Sequence, residues 1–276
     1  MSAADSTTAM QRSNRLKTVF AQNSGPSMGL WQMLPGANIS RALARSGVDW
    51  IVVDAEHGNI DDGAMHDAVP AIAAMGVSPI VRIPDMQPWM IKRALDTGAH
   101  GILVPLIKTV EQVRAVVAAA KFPPQGSRGF GAPLATQTFS PVPSFTEYLQ
   151  QANGALLTMV QIETREALEA VEAIAREADV VFVGPFDLGN NIGFPILEGA
   201  MAPELDAAIE RVLRAAKEAG SKAGIFCTSG EQARRYAEMG FDMLSVATDL
   251  TALEQVMKES VATAKGEVGP EKGKGY

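Results

Sequence analysis

The chain has 276 residues, 47% apolar and 20% charged, enough for a sizeable core in a single domain of α/β-barrel size. Its net charge of −7, with Lys and Arg dispersed, excludes a nucleic-acid footprint, and the single cysteine, Cys227, excludes an intrachain disulfide framework or an all-Cys metal site. No apolar run reaches the ~18 residues of a membrane span, and the polar opening MSAADSTTAMQR lacks a secretory signal's apolar stretch, so a soluble cytoplasmic protein is expected.

Residues 1–26 read as an N-terminal extension. From residue 27 onward, short runs rich in Val and Ile alternate with Ala-, Glu- and Arg-rich stretches of helical length. The runs are SMGLWQML (27–34), WIVVDA (50–55), PIVRIP (79–84), GILVPLI (101–107), ALLTMVQIE (155–163), VVFVGP (180–185), KAGIFC (222–227) and MLSVAT (243–248). Near-continuous apolar strands are what a parallel sheet covered on both faces requires. Stretches between them, such as EQVRAVVAAAKF and TREALEAVEAIAREA, carry apolar residues at helical spacing. Eight such units predict a single-domain (β/α)8 TIM barrel over 27–264, with a doubly wound open sheet as the competitor. Residues 123–145 form the longest interruption, and a loop of that length inside a compact domain is expected to be functional. KGEVGPEKGKGY (265–276) reads as a mobile C-terminal tail.

A barrel of this kind places its chemistry at the C-terminal ends of its strands. Read in order, those ends give Trp31 and Gln32, then Asp54, Glu56 and His57, then Arg82, Gln161 with Glu163, and Asp187 after strand six. Strands seven and eight offer little charge apart from Asp249. Glu163 and Asp187, on neighbouring strands, suit a hard divalent cation such as Mg2+ or Mn2+. As plain structure, Glu163 pairs with Arg165 or caps a helix, and Asp187 caps a turn. His57 has a proton affinity suited to a general base and needs a carboxylate to orient it, with Asp54 and Asp96 as candidates. His66 and His100 read as a helix-surface and a loop residue without a role. Arg82 ends an otherwise apolar strand and must hold an anion, either a barrel carboxylate or a substrate oxyanion. The stretch GPFDLGNNIG (184–193) lacks GxGxxG spacing, although its small residues let backbone N–H groups approach a ligand carboxylate. No GxSxG elbow follows a predicted strand, since GPSMG (25–29) leads into the first run instead.

The segments VDWIVVDAEHG, PIVRIP, ALDTGAHGILVP, PPQGSRGFG, VQIET and VFVGPFDLGNNIG occur in that order. Together they resemble the HpcH/HpaI aldolase family, metal-dependent class II pyruvate aldolases whose relatives include macrophomate synthase, over about residues 27–250. The resemblance implies a carbon–carbon lyase acting on 4-hydroxy-2-oxo acids, with pyruvate as enolate and an aldehyde as the other partner. It implies Glu163 and Asp187 as ligands of Mg2+, Mn2+ or Co2+, His57 as a base held by Asp96, and Arg82 as the stabiliser of the enolate. Gln161 and Trp31 would line the site, the backbone of Gly184, Pro185, Phe186 and Asp187 would hold the pyruvate carboxylate, and Asp54 and Glu56 would support. A homo-oligomer, trimer or hexamer, is implied, its C-terminal helix packing on a neighbouring subunit. Phe186 and Gly189 depart from the family pattern and change the wall near the substrate.

Competing expectations are oxaloacetate decarboxylation or macrophomate-synthase-like bond formation through the same enolate, a CoA-ester lyase of the citrate-lyase branch, and a Schiff-base aldolase using Lys108. A catalytically silent barrel kept for binding is the reading from another class.

Overall fold

A computed structural model describes residues 7–267, so the tail expected at 265–276 lies, beyond residue 267, outside the described residues. Eight parallel strands close a barrel in sequential order: β1 (Ser27–Gln32), β2 (Trp50–Asp54), β3 (Ser78–Arg82), β4 (Gly101–Val104), β5 (Leu157–Ile162), β6 (Val180–Val183), β7 (Lys222–Ile225) and β8 (Met243–Thr248). All eight coincide with the predicted runs, and the open sheet is ruled out. The helices are α1 (Ala9–Ser13), α2 (Arg15–Gln22), α3 (Ala37–Ala44), α4 (Asp62–Ala73), α5 (Pro88–Asp96), α6 (Val110–Ala120) and α7 (Phe145–Ala155). They continue with α8 (Arg165–Glu169), α9 (Val171–Ile174), α10 (Pro185–Ile192), α11 (Pro203–Ala219), α12 (Gly230–Met239) and α13 (Asp249–Ala264). Local chemistry sets their ends. Thr109 with Gln112 and Ser144 with Glu147 form reciprocal caps at the starts of α6 and α7.

The strand pleat explains why one end of this barrel is chemical. Alternate residues point inward, so β2 sends in Trp50, Val52 and then Asp54, and β3 sends in Ile80 and then Arg82. β5 continues the pattern with Leu157, Met159, Gln161 and, just past its end, Glu163. The apolar members of these series form one cluster with Trp31, Leu103, Phe182 and Met243, which fills the barrel as packed layers. Gly29 makes this packing possible, because a Cβ there would run into the Trp50 indole. A second cluster, between strands and outer helices, contains residues such as Val53, Val81, Ile102, Val160 and Val183.

The N-terminal extension folds against the opposite end of the barrel. Leu16 of α2 is fully buried in the interior cluster, and its N–H donates to Ser78 Oγ at 3.0 Å. Asn14 donates to the carbonyls of His100 and Ala155 at 2.9 and 2.8 Å. His100 lies in the loop before β4, as expected. It is fully enclosed, with Nε2 donating to the Thr138 carbonyl at 3.1 Å, Nδ1 3.2 Å from Ser78 Oγ, and its ring stacked on Phe139.

Burial holds the His100 pKa down at about 4, against a pull upward from the Thr138 carbonyl. A depressed folded pKa makes the unfolded chain the better proton binder between pH 6.5 and 4. The stabilisation is full above about 6.5 and is lost as pH falls through about 4, a loss of about 2–3 kcal/mol. Urea unfolding at pH 7.5 and 4.5 should show this loss in the wild type and a smaller one in His100→Gln. Equal pH dependence in the two proteins would refute it.

Residues 123–145 pack down on the outside of the barrel through Thr138, which donates to the Gly98 carbonyl at 2.7 Å, and through the buried Arg128. None of them lines the cavity at the C-terminal ends of the strands, so the functional role expected from their length is not seen within the chain.

Candidate active site

A cavity of about 180 Å³ opens at the C-terminal ends of the strands. Its polar wall is made by Asp54, His57, Arg82, Gln161, Glu163 and Asp187, and its apolar wall by Trp31, Met33, Phe186 and Phe226. Gly184, Pro185 and Thr248 complete it.

Arg82 and Asp54 are direct register partners across β2 and β3, which puts their side chains side by side at the strand ends. Arg82 Nε and Nη2 donate to Asp54 at 2.9 and 2.5 Å, the two-nitrogen contact that fits a carboxylate. Asp54 is completely buried and also accepts from Trp31 Nε1 and from the backbone N–H groups of Glu56 and His57. Burial pushes the Asp54 carboxyl up, but the Arg82 hydrogen bonds and charge, with those two N–H groups, more than offset it and leave it below the usual carboxylate range. Of the two anions considered for Arg82, the barrel carboxylate is therefore present. The guanidinium still borders the cavity, with Nη1 3.0 Å from Glu56 Oε2 and 3.4 Å from Gln161 Oε1. The Glu56 contact is an ion pair without hydrogen-bond alignment. Glu56, which no chemical step demanded, thus helps hold Arg82.

Glu163 is nearly buried and its oxygens are aimed by two donors. The Leu106 N–H reaches Oε1 at 2.7 Å, and Gln161 Nε2 reaches Oε2 at 2.7 Å. Leu106 adopts a left-handed backbone (φ 53°), an unfavourable conformation for a branched residue, and in that conformation its N–H meets the carboxylate. Burial pushes the Glu163 carboxyl up to about 7, the Leu106 N–H pulling it down and the Asp187 and Glu56 charges adding to the rise. Gly184 is required beside it, because a Cβ there would collide with Glu163 Oε2. Asp187 lies in the first turn of α10, exposed at the cavity, and does not cap the helix, whose N-cap is Gly184.

His57 lies at the mouth with its side chain 62% exposed, and Nε2 is 3.7 Å from Glu56 Oε1. Asp96 does not orient it within the chain. The Asp96 carboxylate accepts from Arg128 Nη2 at 2.9 Å, on the outer side of the barrel, and Asp96 does not line the cavity. Lys108 is exposed and also outside it, which removes the Schiff-base candidate. Asp249 is structural, accepting the Met33 and Leu34 N–H groups at 2.9 and 3.0 Å and so fixing the loop after β1. Leu106, Met33, Phe226 and Thr248 were not anticipated. Leu106 acts through its backbone and gives no side-chain signal, whereas Phe226, the last inward position after β7, was legible from the pleat.

Residues 27–255 match the family described as HpcH/HpaI aldolase/citrate lyase. The chain belongs to that family. It is accordingly a carbon–carbon lyase, as expected. A hydroxypyruvate/pyruvate aldolase of Agrobacterium fabrum is 34% identical over 260 residues, 94% of this chain and 96% of that protein. Among solved structures, an HpcH/HpaI aldolase/citrate lyase family protein from Burkholderia cenocepacia is 33% identical with a TM-score of 0.83, covering 91% of this chain and 99% of its own. Macrophomate synthase is 28% identical with a TM-score of 0.81, covering 92% and 89%.

Proposed function

We propose that this HpcH/HpaI family member is a divalent-metal-dependent pyruvate aldolase, cleaving or forming the C3–C4 bond of 4-hydroxy-2-oxo acids. The observation that carries the reading is Arg82, fixed by Asp54 and Glu56 on the same cavity as Glu163 and Asp187.

The donor set fits a hard cation. Glu163 is a buried carboxylate with no Lys or Arg hydrogen-bonded to it, and Gly184 keeps space beside its oxygen. Glu163 and Asp187 would hold Mg2+, Mn2+ or Co2+. Among the described residues no third His, Cys, Asp or Glu converges with them, so the remaining positions fall to oxygens of substrate and solvent. Bound there, the cation supplies Lewis-acid polarisation of the keto oxygen.

The chain's own groups do the rest. Free N–H groups in the first turn of α10, at Phe186 and Asp187, offer the pyruvate carboxylate a helix N-terminus. Arg82 places fixed positive charge where the enolate oxygen develops, in a partly dry site. In the cleavage direction His57, or a water it holds, takes the proton of the 4-hydroxyl, the C3–C4 bond breaks, and its electron pair enters the pyruvate enolate as the aldehyde leaves. Self-association is part of the proposal. α13 carries Leu253, Val256, Met257 and Val261 exposed, a stripe suited to a second copy of the chain.

Chelator-treated protein should be inactive in pyruvate aldol addition and recover with Mn2+, Mg2+ or Co2+, and the loaded enzyme should exchange pyruvate methyl protons in D2O. Full activity without metal, or a borohydride-trapped pyruvate adduct, would overturn the reading.

A further inference from the structure

Beside the charged cluster, part of the cavity lining is aromatic. Trp31 is buried at its base, edge-on to Phe226 with centroids 5.1 Å apart, and Phe226 meets Phe186 at 6.4 Å. Phe186 and Phe226 are half-buried, so each keeps part of its ring open to the cavity that both line. They come from separate elements, the first turn of α10 and the end of β7, and converge on one side.

The charge around the same cavity sharpens what it can accept. Arg82 is the only Lys or Arg among the described residues lining the cavity, and its nitrogens are committed to Asp54, Glu56 and Gln161. Asp54, Glu163 and Asp187 line the same space, with Glu56 behind Arg82. A divalent cation offsets two of these negative charges and the carboxylate of pyruvate returns one, so the pocket stays net negative. An aldehyde with its own carboxylate or phosphate finds no free cation there and meets repulsion at short range. The α10 N–H groups and the Arg82 side take the oxygens of pyruvate, which leaves the open parts of the Phe226 and Phe186 rings as apolar surface for the acceptor. The aldehyde substituent then lies against Phe226 and Phe186, where an apolar or aryl group gains burial and edge-to-face contacts.

We infer that the acceptor is an uncharged aldehyde with an apolar or aryl substituent, and that Phe226 and Phe186 are the residues that select it. The inference rests on the pyruvate-aldolase reading, and the experiment separates the two.

With Mn2+-loaded wild type and pyruvate, kcat/KM is measured for benzaldehyde, 4-methylpentanal and succinic semialdehyde, the last two nearly equal in shape and different in charge. The uncharged aldehydes should exceed succinic semialdehyde at least tenfold. Phe226→Ala should shrink that ratio, and Phe226→Arg, which supplies the missing cation, should turn it toward succinic semialdehyde. A wild-type preference for succinic semialdehyde, or a ratio unmoved in both Phe226→Ala and Phe186→Ala, overturns the inference. Pyruvate methyl-proton exchange in D2O without aldehyde reports on the pyruvate half alone. Exchange with a preference for the anionic aldehyde sinks only the acceptor inference, whereas absence of exchange overturns the aldolase reading and the inference with it.

Discussion

Arg82→Ala is expected to lower kcat/KM for pyruvate aldol addition by about 10²–10³-fold, the effect of deleting one preorganised charge aimed at a developing oxyanion. The cavity has no substitute, since Arg82 is the only Lys or Arg among its described lining residues. The same change strands Asp54, which is fully buried and has Arg82 as its ionic partner. Removing one member of a buried pair costs about 3–5 kcal/mol, so the thermal midpoint should fall as well. Lower stability alone cannot explain the kinetic loss if the variant is assayed while still folded. Arg82→Lys separates the two effects. It restores positive charge but not the planar two-nitrogen grip on Asp54, so it should recover part of the stability and still lose more than tenfold in turnover. Steady-state kinetics on folded protein checks this, and a kcat/KM for Arg82→Ala within tenfold of wild type would remove Arg82 from the mechanism.

The barrel was legible because its signal is periodic. Eight short apolar runs alternating with helical stretches leave little room for another closed parallel arrangement, and the pleat sends Asp54, Arg82, Gln161 and Glu163 to one end of one interior. What each charge does there was less legible. Asp54 and Glu56 are two residues apart and chemically alike, and only the β2–β3 register, which sets Asp54 against Arg82, shows which is the main clamp. The intrachain surroundings of Asp96 were not legible, because its partner there, Arg128, lies in the long loop, whose path has no periodicity to read. His100 sits in the loop one residue before β4, and its burial was not legible because Asn14 and Thr138, which close over it, are distant in sequence. Phe226 carries no charge to mark it at a strand end, although it borders the cavity with Trp31 and Phe186.

Glu163→Gln should act in opposite directions on function and on stability. It preserves shape while removing one of the two proposed carboxylate ligands, so Mn2+ affinity measured by calorimetry should fall by at least a hundredfold, and turnover with it. In chelator-treated protein the same change should stabilise the fold. Burial pushes the Glu163 carboxyl up to about 7 from an ordinary value near 4.5. A raised folded pKa means that the folded state binds the extra proton between those values, so stability is full below about 4.5 and is lost as pH rises through about 7. At pH 8 the metal-free wild type then carries a penalty of about 3 kcal/mol that the neutral amide avoids. Against this stands the Gln161 Nε2 hydrogen bond to Oε2, whose loss costs about 1 kcal/mol. Metal-free Glu163→Gln should therefore melt above the metal-free wild type at pH 8, with the gap closing or reversing near pH 5. Added Mn2+ should raise the wild type and leave the variant where it was. Unchanged Mn2+ affinity in the variant would show that Glu163 is not a ligand, and a metal-free variant less stable than wild type at pH 8 would show that the carboxylate is not held at a cost.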